Sequence, residues 1–270
     1  MIRSSFSSSL AFTALIFFTA ISSALATTEE RLAKIYEMRT SSYAILSGFY
    51  MLRALEGDLR YSHDIDAKIK LFERSLGEFN QIENPKSVAS GTMKTDWQKY
   101  KQLVDSNRSE LLSLGYSNIN QVNQLEDKLV TLNANLVQNY NALIEADESP
   151  VNKWTQQSRD MTLIIRIITA EYAARSSPNA AGQVYVSKFN VGGLEKQAKE
   201  FNRLLSLFTN APSNDKAVNK TIKQIGVKWA FIEKSVTNFN QNAVPFIVSS
   251  YSQKITNNLK VIGDYYATKK

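Results

Sequence analysis

The stretch from Val218 to Phe239 carries a single apolar stripe of the kind that an α-helix presents. The residues between its members are mostly Lys, Gln, Asn, Thr and Ser, so such a helix has one side to bury and one side to leave in water. Burying each large side chain is worth roughly 1.5–3 kcal/mol, which a helix obtains only by packing against other helices. The stripe recurs in steps of three and four, the spacing of one helical side, at Val218, Ile222, Ile225, Trp229, Ile232, Val236 and Phe239.

The rest of the chain repeats this pattern between breaks, and its five prolines all lie at the breaks: Pro85, Pro150, Pro178, Pro212 and Pro245. Because proline costs about 3 kcal/mol inside a helix, this placement predicts an all-α protein. We predict eight helices. In the first half, helix one runs from a Thr27–Glu30 capping box to about Glu56, helix two follows an Asp64 N-cap up to Asn84-Pro85, helix three ends at Gly115, and helix four runs from about Ser117 to Ala146. In the second half, helix five starts at Ser149-Pro150, helix six at Leu194 and helix eight at about Pro245, and helix seven covers 218–239.

One segment, from Ser176 to Gly193, loses the helical period. It contains Pro178, three glycines and an alternating run from Val184 to Val186, which indicates a long loop or a short strand-like crossover. Its Tyr185 and Phe189 make it a candidate interaction surface, and a plain linker is the alternative.

The first 26 residues are predicted to be a cleaved signal peptide. Arg3 precedes an apolar run, and Ala24-Leu25-Ala26 has the small-x-small pattern of a cleavage site. An uncleaved membrane anchor is the alternative, but the run is about a dozen residues long and a spanning helix needs about 20. The mature protein is therefore expected to be soluble and exported. Because the chain has no cysteine, a bacterial periplasm is the favoured location.

Composition argues against several functional classes. Removing Arg3 lowers the count of Lys and Arg from 32 to 31 against 25 Asp and Glu, a net charge of +6 that is scattered singly, so no nucleic-acid-binding patch is expected. His63 is the only histidine, and without cysteine a metal site is not expected. No glycine-rich phosphate loop or nucleophile context occurs. We therefore expect no enzyme, no catalytic residue and no cofactor.

The two halves of the chain repeat each other in pattern. The sequence of helix two aligns without gaps on that of helix six, with Phe72 on Phe201 and Arg74 on Arg203. The sequence of helix three aligns in the same way on that of helix seven, with Trp97 on Trp229. Since apolar spacing alone would align any two such helices, the shared Arg and Trp carry the comparison. The predicted architecture is two tandem up-down four-helix bundles, over residues 27–148 and 149–270.

The repeated pattern resembles the N-terminal sensor domain of type IV pilus methyl-accepting chemotaxis transducers (PilJ type). That domain is similar to the periplasmic part of nitrate/nitrite sensor kinases, and the chain looks most like exported proteins that carry it twice. The resemblance rests on Phe72 to Phe79 with Trp97, Lys99, Tyr100 and Lys101 in the first copy, and on Phe201 to Phe208, residues 228–233 and residues 244–266 in the second.

This resemblance implies an anion site on the first helix of each copy. The family has a Gln-Arg-Met-Leu-Ser-Gln-Arg run there, of which this chain retains Arg39 and Ser42 in the first copy. In the second copy the first arginine becomes Thr162, with Arg159 and Arg166 nearby but out of register. These four residues, Arg39, Ser42, Arg159 and Arg166, are the candidate ligand-binding residues. The alternatives are that Arg39 pairs with a buried acid and that Arg159 and Arg166 are solvated.

The three tryptophans, Trp97, Trp154 and Trp229, have two possible interpretations, a ligand cage or core packing. Their positions in the apolar stripes favour core packing.

Our first functional hypothesis is a non-catalytic sensor-like module that recognises a small ligand, such as nitrate or nitrite, or a membrane receptor or signalling partner. A homodimer is a further candidate assembly. The alternatives are a ligand-free envelope scaffold and a pore-forming helical toxin, although no apolar hairpin for insertion is visible.

Overall fold

A computed structural model describes residues 9–82, 90–146, 151–177, 187–190, 192–212, 214–239 and 243–269, with the backbone alone for residues 9–27 and Ser90. These residues form eight α-helices and no strand, so the predicted all-α class is confirmed. The helices are α1 (Ser9–Ala54), α2 (Leu59–Gln81), α3 (Ser90–Leu114), α4 (Ile119–Ala146), α5 (Lys153–Ser176), α6 (Gly193–Thr209), α7 (Lys216–Thr237) and α8 (Pro245–Ala267).

Several helix ends follow the predicted local chemistry. Helix α3 ends at Leu114, and the next residue, Gly115, has a φ of +77°, a conformation that glycine adopts without strain. Helix α8 has Pro245 in its first turn, where the missing N–H costs nothing. Helix α7 begins at Lys216, two residues before the predicted start, and its cap, Asp215, was not predicted; the Asp215 Oδ1 accepts a hydrogen bond from the Val218 N–H at 2.9 Å.

Two predicted helix starts are wrong. Thr27 does not cap helix one, because α1 continues upstream to Ser9 through a stretch without glycine or proline. Asp64 does not cap helix two: it lies inside α2 and pairs with Lys68 at 3.6 Å. The cap is Asp58, whose side chain accepts the Arg60 N–H at 3.0 Å. No helix breaker separates Asp58 from Asp64, so the helix starts at the earlier acid.

The start of helix five is also displaced. Its N-cap is Asn152, whose Oδ1 accepts hydrogen bonds from the N–H groups of Trp154 and Thr155 at 2.9 and 3.4 Å. The predicted start at Ser149-Pro150 lies outside the described residues, as do Asn84-Pro85 and the run from Val184 to Val186 with Tyr185.

Two clusters of buried apolar side chains form the interior. The first is built from α1, α2, α3 and α4, with contributions from α5 and from Phe189. The second is built from α5, α6, α7 and α8. Helix α1 packs against α2, α4 and α5, and α5 packs against α6 and α8 as well as α1. The contact between α1 and α5 therefore joins the two clusters side by side.

Each cluster contains a phenylalanine packed on a tryptophan at the positions that the repeat aligns. The rings of Phe72 and Trp97 stack with centroids 3.8 Å apart and planes 10° apart. The rings of Phe201 and Trp229 lie 4.5 Å apart at 43°. Trp97 and Trp229 are only 3% and 2% exposed, so core packing, and not a ligand cage, is their role. The Trp229 indole N–H also donates to Asn202 Oδ1 at 2.7 Å.

We predict that Trp97→Ala and Trp229→Ala each lower the free energy of unfolding by about 3–5 kcal/mol, because each leaves a cavity beside a packed phenylalanine. Phe246→Ala, at an aromatic residue that is 54% exposed, is the matched control and should cost less than about 1 kcal/mol. Urea denaturation measures all three. A loss at Trp97 or Trp229 no larger than that of the control would contradict the assigned cores.

Candidate functional site

A groove runs between α1, α2, α5 and α8, along the line where the two clusters meet. We call it the central groove; it encloses about 380 Å³. Small and aliphatic residues, Ala33, Ala44, Leu71, Gly263 and Ala267, form part of its wall. The polar and charged groups on its wall include Tyr36, Glu37, Thr40, Ser41, Lys68, Arg74, Arg159, Thr162, Arg166, Gln253, Asn257, Lys260 and Asp264.

Two of the four predicted site residues, Arg159 and Arg166, line this groove together. Arg166 is partly buried, and its Nη2 donates to the neutral Oε1 of Gln253 at 3.0 Å. No described carboxylate lies within ion-pairing distance of it. Burial lowers the pKa of Arg166 to about 10, and the more distant charge of Asp64 acts in the opposite direction. Arg166 therefore stays cationic at neutral pH, with its charge poorly compensated.

The other basic residues of the central groove each have an acidic partner. Lys68 pairs with Asp64 at 3.6 Å, and Arg74 approaches Glu78 at 4.0 Å. Arg159 Nη2 binds Glu29 Oε1 at 2.6 Å, and Lys260 binds Asp264 at 2.9 Å on the next turn of α8. Their charges are largely neutralised within the chain, so Arg166 is the lining cation whose positive charge is least compensated.

A serine that sequence reasoning missed adds a polar group to the groove wall. Ser41 is 2% exposed, and its Oγ has no hydrogen-bond partner among the described residues. A buried hydroxyl without a partner is costly to stability, but the protein encloses this oxygen, so a ligand in the groove does not reach it. The sequence holds no signal for this burial, because the orientation of a serine depends on how the neighbouring helices pack.

The other two predicted residues, Arg39 and Ser42, do not line the central groove. Ser42 is fully buried in the first cluster, where its Oγ donates to the Arg39 carbonyl at 2.7 Å and accepts from Asn133 Nδ2 at 3.0 Å. Its hydroxyl thus links α1 to α4. The Arg39 guanidinium lies 6.0 Å from the Tyr36 ring centroid, and its buried Nε has no hydrogen-bond partner in the described part of the chain.

Arg39 lies beside a polar network that joins α1 to α5. Asp160 Oδ1 accepts hydrogen bonds from the Tyr36 hydroxyl at 3.1 Å and from Gln156 Nε2 at 2.9 Å. The Tyr140 hydroxyl donates in turn to Gln156 Oε1 at 2.7 Å. Burial raises the pKa of Asp160, while the hydrogen bonds and the charges of Arg39 and Arg159 oppose the rise. The network was missed because Tyr36 and Asp160 lie 124 residues apart.

The remaining sequence candidates have other positions. Trp154 is partly buried against Phe208 and Tyr266, with ring centroids 5.6 and 6.0 Å away. Phe189, predicted on an interaction surface, is instead 8% exposed and packs 6.0 Å from the Tyr43 ring, because its apolar ring closes the first cluster. His63 is exposed on α2, and no group of three or more metal-binding side chains occurs in the described part of the chain.

No protein-family model, curated protein or solved structure matches the chain significantly. Over the residues that the structure describes, no helix combines the length and the apolar character needed to cross a bilayer.

The polar network yields a pH prediction. The pKa of Asp160 is raised in the folded state, so the folded protein binds a proton at this carboxylate more tightly than the unfolded protein does. The contribution of Asp160 to the free energy of unfolding therefore increases as the pH falls from neutral through the folded-state pKa. Asp160→Asn imitates the neutral form and keeps an oxygen acceptor for both donors. We expect its stability advantage over the unmodified protein to be largest near pH 7 and to shrink as the pH is lowered.

Urea denaturation of both proteins across that pH range measures the difference. Asp264→Asn, at an exposed carboxylate of α8 that pairs with Lys260 at 2.9 Å, is the control for removing a negative charge elsewhere on the protein. An advantage of Asp160→Asn that grows with acidification would contradict the assignment.

Proposed function

We propose that this protein is an exported, non-catalytic sensor-like module that binds a small anion in the central groove. Its expected location is the bacterial periplasm, after removal of the first 26 residues. In this proposal, signalling passes through a membrane receptor or another signalling protein. This proposal takes the chain as two tandem up-down four-helix bundles of the PilJ type.

Two features support the tandem arrangement. The apolar interior divides into one cluster centred on α1–α4 and another on α5–α8. Each cluster contains the Phe–Trp contact that the sequence repeat aligns, Phe72 on Trp97 and Phe201 on Trp229. A duplicated unit accounts for the same contact at the same aligned positions, whereas apolar periodicity alone does not require it.

The observation that carries the binding proposal is the state of Arg166. A guanidinium removed from water loses hydration, and a nearby carboxylate usually restores the lost free energy. Arg166 has only the neutral amide of Gln253 as a described hydrogen-bond partner, and it lies in the wall of a groove. An anion in the groove would supply the missing charge, and the planar guanidinium can hold an oxyanion with two hydrogen bonds.

We predict that anions raise the melting temperature of the unmodified protein but not that of Arg166→Gln. Differential scanning fluorimetry with nitrate, nitrite, sulfate and simple carboxylates, at constant ionic strength set with chloride, measures the shift. A ligand at a hundredfold excess over its Kd adds about 2.7 kcal/mol of stability, or roughly 5–10 °C for a chain of this size.

The matched control is Arg203→Gln. Arg203 is an exposed arginine of α6 that pairs with Glu200 at 2.7 Å, away from the groove. Its removal should leave the shift intact, and circular dichroism checks that both variants fold. A shift lost in Arg39→Ala but kept in Arg166→Gln would move the site to the polar network around Asp160. No shift with any anion would contradict the proposal.

A ligand-free envelope scaffold is the second candidate. The pairing of Lys68, Arg74, Arg159 and Lys260 with acids of the same chain favours it, because those ion pairs need no ligand. Under this account Arg166→Gln would leave the melting temperature unchanged or raise it, since a poorly compensated charge would be removed, and anions would have no effect.

A further inference from the structure

We infer that the ligand of the central groove is an organic monoanion, a monocarboxylate carrying an apolar body several carbons long. This inference rests on the proposed anion-binding function and specifies its ligand class. Three properties of the groove lead to it: its size, the number of unpaired charges on its wall, and the position of its apolar residues.

The size of the groove exceeds what an inorganic oxyanion needs. Its volume of about 380 Å³ falls within the range of roughly 300–1,000 Å³ that is usual for pockets that bind organic molecules. Nitrate or nitrite, with four or three heavy atoms, would fill a small part of this space and leave the remainder to water. A molecule with a body as well as a charged group fits the volume better.

The charges on the wall limit the ligand to one negative charge. Arg166 is the lining cation that no described carboxylate pairs, while the other four lining cations have acidic partners. Glu37 and Asp264 also line the groove, and their negative charges would repel a ligand with several anionic groups. Citrate, nucleotides and other polyanions are therefore poor candidates.

The wall also offers an apolar surface. Ala33, Ala44, Leu71 and Ala267 line the groove from three different helices, α1, α2 and α8. A carboxylate bound by Arg166 with its hydrocarbon body against these small side chains would use every one of these features.

Isothermal titration calorimetry with acetate, butyrate, hexanoate and octanoate tests the inference on the full chain. We expect affinity to rise about fourfold for each methylene that enters the groove, the fold-change equivalent to ~0.8 kcal/mol. Hexanamide, which has a similar shape and no charge, should bind at least tenfold more weakly than hexanoate. Citrate should bind more weakly than hexanoate as well.

Variants separate the charged contact from the apolar one. Arg166→Gln should weaken hexanoate at least tenfold and abolish its advantage over hexanamide, while Arg166→Lys should recover part of that advantage. Ala267→Trp, which places a large ring at an exposed position of the groove wall, should weaken octanoate far more than acetate. Ala230→Trp, at an exposed position of α7 away from the groove, is the control.

The outcomes distinguish this inference from the function on which it rests. Affinity that rises with chain length and falls in Ala267→Trp supports the inference. Equal binding of nitrate, acetate and octanoate, all lost in Arg166→Gln, would overturn the inference and leave the proposed function standing. Tighter binding of citrate than of hexanoate would also overturn it. Failure of every anion to bind would overturn both.

Discussion

Helix α5 must bury two opposite sides at once, and the arrangement of the other helices depends on this requirement. Met161, Ile165 and Ile168 belong to the second apolar cluster, while Leu163 and Ala170 belong to the first. At 100° per residue these two sets lie on opposite sides of one helix. The alanines of the first set, which continue at Ala173 and Ala174, are small enough to let α1 approach closely. The two clusters therefore share a helix, and neither can be closed without it.

The contact between α1 and α5 also positions the polar groups described above. Where α1 and α5 meet, the Tyr36 hydroxyl and the Asp160 carboxylate are enclosed together and satisfy each other. Beside this contact lies the central groove, which α2 and α8 also line, and there the one described hydrogen-bond partner of Arg166 is neutral. The Tyr36–Asp160 hydrogen bond links the two halves, and a poorly compensated charge beside it provides a place for a ligand. Binding there would bear on both halves, since the groove wall comes from helices of each.

Sequence reasoning predicted the helices well because it depended on local periodicity and on residues that end helices. The stripe of α7, the stop at Gly115 and the start at Pro245 all follow from the chain's own geometry. It failed where the outcome depends on neighbouring helices. Leu163 and Ala170 look like surface positions until α1 covers them. Asp64 is as good a cap as Asp58 by composition, and only the tight connection after Gly57 decides between them.

The site was predictable only in part for the same reason. The place of Arg159 and Arg166 on helix five predicts both as site residues, and the structure brings both to the groove, but nothing in the sequence pattern indicates that Arg159 pairs with Glu29. Arg39 and Ser42 are predicted site residues on helix one, yet Ser42 packs against α4, where its Oγ meets the Asn133 amide and not a cavity. The direction of a side chain within a bundle follows from packing that periodicity does not encode.

The shared use of α5 is tested most directly by asking whether the two clusters unfold together. Each cluster contains one buried tryptophan, so two double variants report on them separately. Trp154→Phe/Trp229→Phe keeps only Trp97, which reports on the first cluster. Trp97→Phe/Trp154→Phe keeps only Trp229, which reports on the second cluster. In urea, the fluorescence of the remaining tryptophan and the far-UV circular dichroism of the same variant should change at one midpoint in both proteins. If either tryptophan reports a transition separate from the loss of total helix, the clusters unfold independently, and α5 does not bind them into one cooperative structure.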